Sequence, residues 1–81
     1  LDDIGAYHFS PMMAGYGKSG VPDIIACYKG KFIGIECKAG KNTPTLLQIR
    51  NMDEIKRNNG LAIVINEGNI EALLTLVKEI E

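Results

Sequence analysis

Two acidic residues, Asp23 and Glu36, lie in neighbouring apolar segments whose spacing could bring their carboxylates together. Segments 23–28 and 31–38 are rich in β-branched and aromatic residues and flank the short Lys29-Gly30 pair, a pattern typical of a β-hairpin. If that pair forms the turn, counting outward along both strands places Asp23 directly opposite Glu36. Because facing like charges are destabilising, the pairing predicts a shared divalent cation.

Lys38 and Cys37 follow immediately and could complete such a site. Lys38 is two residues after Glu36, so both side chains should emerge on one face of the strand. Its ammonium group would then lie on the same face as both carboxylates. The backbone carbonyl of Cys37 could bind the metal, whereas its thiol should face the core. Gly34 should leave space above the site for substrate.

The segment after the hairpin predicts a helix over about 43–58, with Thr43 as its N-cap and Pro44 at the first helical position. Gln48 falls on the apolar face of this helix and should point inward, near the end of the strand that carries Glu36. Burying an unpartnered amide costs about 1–3 kcal/mol, so Gln48 is expected to reach a hydrogen-bonding site there.

A glycine-rich loop precedes the hairpin and ends in Lys18, Ser19 and Gly20. Backbone amides and a lysine in such a loop could hold phosphates, and Lys41 is a further predicted nucleic-acid contact. The alternative is a plain connection between two strands. Residues 15–20 also match the dinucleotide-binding pattern G-x-G-x-x-G, but a strand follows them instead of the helix which that pattern requires.

Composition limits the remaining possibilities. The chain has 81 residues, a net charge of −1, two cysteines and one histidine, which favours one domain without a disulfide framework or a zinc site. No apolar run approaches the ~20 residues that span a bilayer, so we expect no membrane partner. The two free thiols fit a reducing cytosol, so we expect a cytoplasmic location.

The other segments complete a predicted α/β fold. Residues 6–13 should form a short edge strand, residues 61–65 a buried strand, and a final helix should begin at Gly68-Asn69. The apolar stripe of that final helix comprises Ile70, Leu73, Leu74, Val77 and Ile80. The expected architecture is a mixed central sheet, built from hairpin, helix, strand and helix, with helices flanking it.

The string Pro22-Asp23 followed by Glu36-Cys37-Lys38 resembles the signature of PD-(D/E)XK nucleases. With Gly20 before it and Gln48 after it, the chain is most similar to the VRR-NUC domain, the virus-type replication-repair nuclease module. The resemblance covers residues 15 to about 66. It implies a restriction-endonuclease-like fold in a single domain over residues 1–81, with a truncated N-terminal helix.

The resemblance further implies a metal-dependent, structure-specific DNA endonuclease that hydrolyses phosphodiester bonds in branched DNA such as Holliday junctions. Its catalytic residues would be Asp23, Glu36, Lys38 and Gln48, with Asp23, Glu36 and the Cys37 carbonyl holding Mg²⁺, for which Mn²⁺ can substitute. Lys38 would orient or deprotonate the attacking water or stabilise phosphoryl oxygens, and Gln48 would position Lys38 or the water. The enzyme would act as a homodimer in the cytoplasm of a bacterium or of the bacterial host of a phage. Family members usually carry a further acidic residue upstream, for which Asp2 and Asp3 are the available candidates. Two alternatives remain open: a catalytically inactive nucleic-acid-binding module with the same fold, and a protein-interaction domain whose carboxylates hold a structural ion.

Overall fold

A computed structural model describes residues 2–11 and 19–81 of the chain. This part forms a small α/β fold in which two α-helices flank a four-stranded mixed sheet. In chain order the elements are a 3₁₀ turn at Asp2–Ile4, β1 at Tyr7–Phe9, β2 at Ile24–Tyr28, β3 at Lys31–Cys37, α1 at Leu46–Arg57, β4 at Leu61–Ile65 and α2 at Glu71–Ile80.

The sheet order is β1-β2-β3-β4, with β1–β2 and β2–β3 antiparallel and β3–β4 parallel. Tyr28 pairs with Lys31, so the predicted hairpin register is confirmed. Lys29 and Gly30 both have positive φ, as a two-residue turn that matches the twist of its strands requires. A parallel pair needs a crossover connection, and α1 provides it between β3 and β4.

The buried core lies on one face of β3, where Ile33 and Ile35 are fully buried. Ala26 and Tyr28 of β2 and Val77 of α2 join them, so α2 covers this face. Because strand side chains alternate, Gly34 and Glu36 belong to the opposite face, which α1 covers. The two β3 faces therefore differ in kind, since one is apolar and the other carries a buried carboxylate.

The first turn of α1 differs from the sequence prediction. Thr45 is the N-cap, in place of Thr43, and the helix begins at Leu46. Thr45 Oγ1 accepts a hydrogen bond from the Gln48 N–H, and Gln48 Oε1 accepts one from the Thr45 N–H. This reciprocal capping box stabilises the Thr45 start, whereas Thr43 stands outside the helix.

The outer elements are shorter than predicted. β1 spans Tyr7–Phe9, and residues 12 and 13 of the predicted strand lie outside the described residues. α2 begins at Glu71, later than Gly68-Asn69, and the predicted apolar stripe is only partly buried, because Ile70 and Leu74 are exposed. The strand predicted at residues 61–65 is confirmed, but its side chains are half-buried because β4 is an edge strand. In the described part of the chain, neither helix combines the length and apolarity needed to cross a membrane.

Candidate metal and catalytic site

The hairpin brings Asp23 and Glu36 to the same place. Ile24 pairs with Ile35, so the next residues outward, Asp23 and Glu36, face each other. The N–H of Cys37 donates a hydrogen bond to Asp23 Oδ2 over 2.9 Å, which fixes the aspartate against the end of β3. Asp23 is exposed and Glu36 is buried, so the pair lies at the boundary between solvent and the interior.

Glu36 is among the most deeply buried side chains described, with 1% of its surface exposed. Its Oε1 atom accepts a hydrogen bond from Gln48 Nε2 over 3.0 Å and lies 4.0 Å from Lys38 Nζ. Its Oε2 atom is also buried, and residues 2–11 and 19–81 provide no hydrogen-bond partner for it. In the ionised form this buried oxygen lacks a donor, which a cation would replace, whereas a protonated Glu36 carboxyl can donate a hydrogen bond to Asp23.

The surroundings of Glu36 oppose its negative charge. Burial first, and then the hydrogen bond and negative charge of the adjacent Asp23 carboxyl, raise the pKa of the Glu36 carboxyl to about 7, although the Lys38 ammonium lowers it. Without a cation, Glu36 is therefore partly protonated near neutral pH. A divalent ion between the two acids would remove their repulsion and favour the ionised form.

The carboxylates suit a hard cation. Mg²⁺ prefers oxygen ligands and is commonly held by one or two carboxylates while it keeps several waters. In residues 2–11 and 19–81, this site included, no group of three or more His, Cys, Asp or Glu is placed to hold a metal ion, so two carboxylates are the side-chain ligand set here. The two acids and the unpartnered Oε2 atom of Glu36 therefore fit a magnesium ion.

Cys37 contributes to the site through its backbone. Its N–H holds Asp23, while the predicted role of its carbonyl as a ligand stays a prediction. The prediction that its thiol belongs to the core is wrong, because Cys37 ends β3 and is exposed. Desolvation, and then the negative charges of Asp23 and Glu36, raise the pKa of this thiol, so it stays protonated and is a poor metal ligand.

Gln48 points into the site, where it contacts Glu36. Since its Oε1 atom is used by the capping box and its Nε2 atom by Glu36, the amide is held at both ends. In the structure Gln48 hydrogen-bonds to the Glu36 carboxylate, whereas the prediction was that it would position Lys38 or a water. Gln48 thus orients Glu36 and stabilises its ionised form.

Gly34 does not provide the open space predicted for substrate. A Cβ atom at this position would lie 2.8 Å from Pro22 Cγ and 2.9 Å from Ile55 Cδ1. The volume above Gly34 is therefore filled by side chains of the protein itself. The space is filled because α1 and the segment before β2 both pack over Gly34.

The predicted nucleic-acid contacts are distributed over two turns. Ser19 and Gly20 form a turn against α1, where the Ser19 carbonyl accepts a hydrogen bond from Asn51 Nδ2. Lys41 is exposed in the turn after β3, and the Gly40 N–H in that turn donates to Glu67 Oε1 over 2.9 Å. Lys18 lies outside the described residues.

Neither of two surface cavities in the described part of the chain is lined by Asp23 or Glu36. One of about 320 Å³ is lined by Phe32, Asn51, Glu54, Ile55, Asn58 and Gly60. Another, of about 230 Å³, is lined by Cys37, Lys38, Ile65, Asn66, Glu67 and Ile70. Because a phosphodiester backbone binds along a surface, we locate the site by its charged and buried groups instead of by cavity size.

Sequence reasoning missed two residues around the site, Thr45 and Asn51. The pattern Thr45-x-x-Gln48 is a capping-box signature that was available in the sequence. Asn51 follows Gln48 by three residues and therefore shares its helix face, which is the signal that could have identified it.

Comparisons of the chain with protein-family models, with curated proteins and with solved structures give no match. The resemblance to VRR-NUC domains therefore stays a prediction, which rests on the residue pattern. The chemistry of the site is inferred from its own geometry.

Proposed function

We propose that the chain is a metal-dependent DNA endonuclease of the VRR-NUC type, with a restriction-endonuclease-like fold. The observation that carries the proposal is the buried Glu36 carboxylate, whose Oε2 atom lacks a partner among the described residues while it faces Asp23. Lys38 Nζ lies 4.0 Å from the other oxygen of the same carboxylate. Two acids and a lysine at a strand end form a set suited to hydrolysing a phosphodiester.

Each residue has a distinct task in this mechanism. Asp23 and Glu36 would hold Mg²⁺ or Mn²⁺, with the Cys37 carbonyl as a further oxygen ligand. A bound divalent ion supplies Lewis acidity toward the phosphodiester and its attacking water. Lys38 is partly exposed, so its ammonium group can reach a substrate phosphate while it remains beside Glu36. Gln48 keeps the Glu36 carboxylate oriented through its Nε2 hydrogen bond.

The proposed substrate is branched DNA, with a Holliday junction as the preferred form. This part rests on the resemblance and on symmetry, because one chain offers one site and a four-way junction requires two symmetric cuts. A homodimer with a two-fold axis would supply both cuts. Ser19, Gly20 and Lys41, with Lys18, are the proposed contacts to the DNA phosphates.

A catalytically inactive nucleic-acid-binding module is the second candidate. Such a module would bind branched DNA with or without Mg²⁺ and would not cut it.

A cleavage assay on a labelled synthetic four-way junction tests the proposal. We expect strand cleavage with Mg²⁺, none with chelator, and much weaker cleavage of linear duplex. Asp23→Asn, Glu36→Gln and Lys38→Met should each remove cleavage while junction binding in a gel assay persists. Asp53→Asn and Lys56→Met are matched controls, because they remove the same charges from exposed positions on α1.

The outcomes separate the candidates. Junction binding without cleavage under any metal condition would support the inactive module. Cleavage that survives in the Asp23 and Lys38 variants would reject the mechanism. Absence of any DNA shift at low salt, where electrostatic binding is strongest, would leave only the protein-interaction alternative.

A further inference from the structure

Asn51 is a second inward-pointing amide on α1, one turn after Gln48, and only 7% of its surface is exposed. Its Nδ2 atom donates hydrogen bonds to the Leu47 carbonyl over 2.9 Å and to the Ser19 carbonyl over 3.2 Å. The first bond lies within the helix. The second ties α1 to a residue distant in sequence, in the turn that precedes β2.

The Ser19–Gly20 turn fits closely against α1. Gly20 has a φ of +78°, and a Cβ atom there would lie 2.6 Å from Leu47 Cγ and 2.9 Å from Asn51 Nδ2. A side chain would therefore be both strained and obstructed at this position. Close packing and the Asn51 hydrogen bond together fix where the turn sits on the helix.

Only two residues separate this turn from Asp23. Pro22 is buried and packs over Gly34, and Asp23 then accepts the hydrogen bond from the Cys37 N–H. The segment that delivers Asp23 is thus held at three places: on α1, over β3, and at the end of β3. Asn51 provides the polar contact of the first of these.

We propose that Asn51 is a positioning residue that sets the place of the Asp23 carboxylate relative to Glu36. Gln48 holds Glu36 directly, and Asn51 holds the segment that carries Asp23, so one face of α1 orients both carboxylates. In its link to metal binding, this inference rests on the proposed function. Its effect on Asp23 itself can be measured without any metal.

The metal-free test uses the Cys37 amide as a reporter, because its N–H bonds to Asp23. We expect Asn51→Ala to move the Cys37 amide resonance in a ¹H–¹⁵N spectrum and to accelerate its hydrogen exchange. Asn58→Ala is the matched control, since Asn58 Nδ2 makes the same kind of bond, to the Glu54 carbonyl over 2.8 Å, but at the far end of α1. A Cys37 amide that is unchanged in Asn51→Ala, or equally changed in the control, would overturn the proposal.

The second test measures Mn²⁺ binding by calorimetry. We expect Asn51→Ala to weaken binding about tenfold, the low end of the effect seen when groups that orient metal ligands are removed. Asn58→Ala should bind like the wild type. An Asn51→Ala protein that is folded and retains wild-type affinity would contradict the proposal.

Gly20→Ala keeps the test decisive if Asn51→Ala does not fold. It disturbs the same turn while leaving the amide in place, and it should give the same Cys37 and Mn²⁺ effects. A folded Gly20→Ala protein with a wild-type Cys37 amide would then overturn the proposal. If the wild type itself binds no Mn²⁺, the proposed function fails, whereas the Cys37 amide still decides whether Asn51 positions Asp23.

Discussion

Gln48 Nε2 lies 3.0 Å from Glu36 Oε1, so the first turn of α1 donates a hydrogen bond to the buried carboxylate of the candidate site. The same amide accepts the Thr45 N–H over 2.8 Å through its Oε1 atom. One side chain therefore serves both as a helix-capping group and as the partner of a site residue. Substitutions can separate the stability that Gln48 contributes through the capping box from the stability that its hydrogen bond to Glu36 contributes.

Gln48→Leu should destabilise the metal-free protein more than Thr45→Ala does. Thr45→Ala removes one capping bond, which costs about 1 kcal/mol. Gln48→Leu also leaves Glu36 Oε1 without its donor, so we expect a total loss of about 2–3 kcal/mol. Urea denaturation in chelator measures both values. Equal losses in the two variants would mean that the bond to Glu36 contributes nothing to stability.

The metal-free protein should lose stability as the pH rises through the weakly acidic range. Burial first, and then Asp23, raise the pKa of Glu36 from 4.5 to about 7 despite Lys38. Between these two values the folded state binds more protons than the unfolded state, so the free energy of unfolding falls with increasing pH and levels off above about 7. The total decrease from this group is on the order of 3 kcal/mol.

Glu36→Gln should remove that decrease, because the amide has no charge to bury. At about pH 8, without metal, we expect this variant to be more stable than the wild type by about 1–3 kcal/mol. Glu71→Gln, an exposed substitution in α2, is the control and should leave the pH profile unchanged. Urea denaturation over a pH series provides the measurement, and a variant less stable than the wild type at that pH would contradict the assignment.

The features that could be predicted from the sequence are those fixed by short-range geometry. The two-residue turn at Lys29-Gly30 determines the register of the whole hairpin, so the pairing of Asp23 with Glu36 follows by counting. The inward direction of Gln48 likewise follows from helical periodicity. These relations need no knowledge of how the elements pack against each other.

The predictions that were wrong or missing concern packing between segments that are distant in sequence. Gly34 looked open from the hairpin alone, but Pro22 and Ile55 fill the volume above it. The role of Asn51 depends on the Ser19–Gly20 turn lying against α1, which no local pattern reports. The N-cap is Thr45 and not Thr43, because Gln48 follows Thr45 by three residues and completes a capping box with it.

Divalent cations should stabilise the folded protein through Asp23 and Glu36. At a Mg²⁺ concentration of about 100 times Kd, the expected gain is about 2.7 kcal/mol. Because binding requires ionised Glu36, the gain should grow as the pH rises toward about 7. Thermal denaturation with and without Mg²⁺ measures the effect, which Asp23→Asn should abolish and Asp53→Asn should retain. An equal gain in both variants would indicate nonspecific ion binding.

Gly34→Ala distinguishes packing from substrate access. If Pro22 and Ile55 fill the space above Gly34, the added methyl group must displace them and should cost about 1–3 kcal/mol in the free energy of unfolding. If the space were open for DNA, stability would be unchanged and only junction cleavage would fall. Gly68→Ala is the milder control, because a Cβ there would meet only Asn66 Oδ1, at 3.3 Å, which needs a shift of a few tenths of an ångström. Urea denaturation decides, since a Gly34→Ala protein as stable as the control would restore the open-space interpretation.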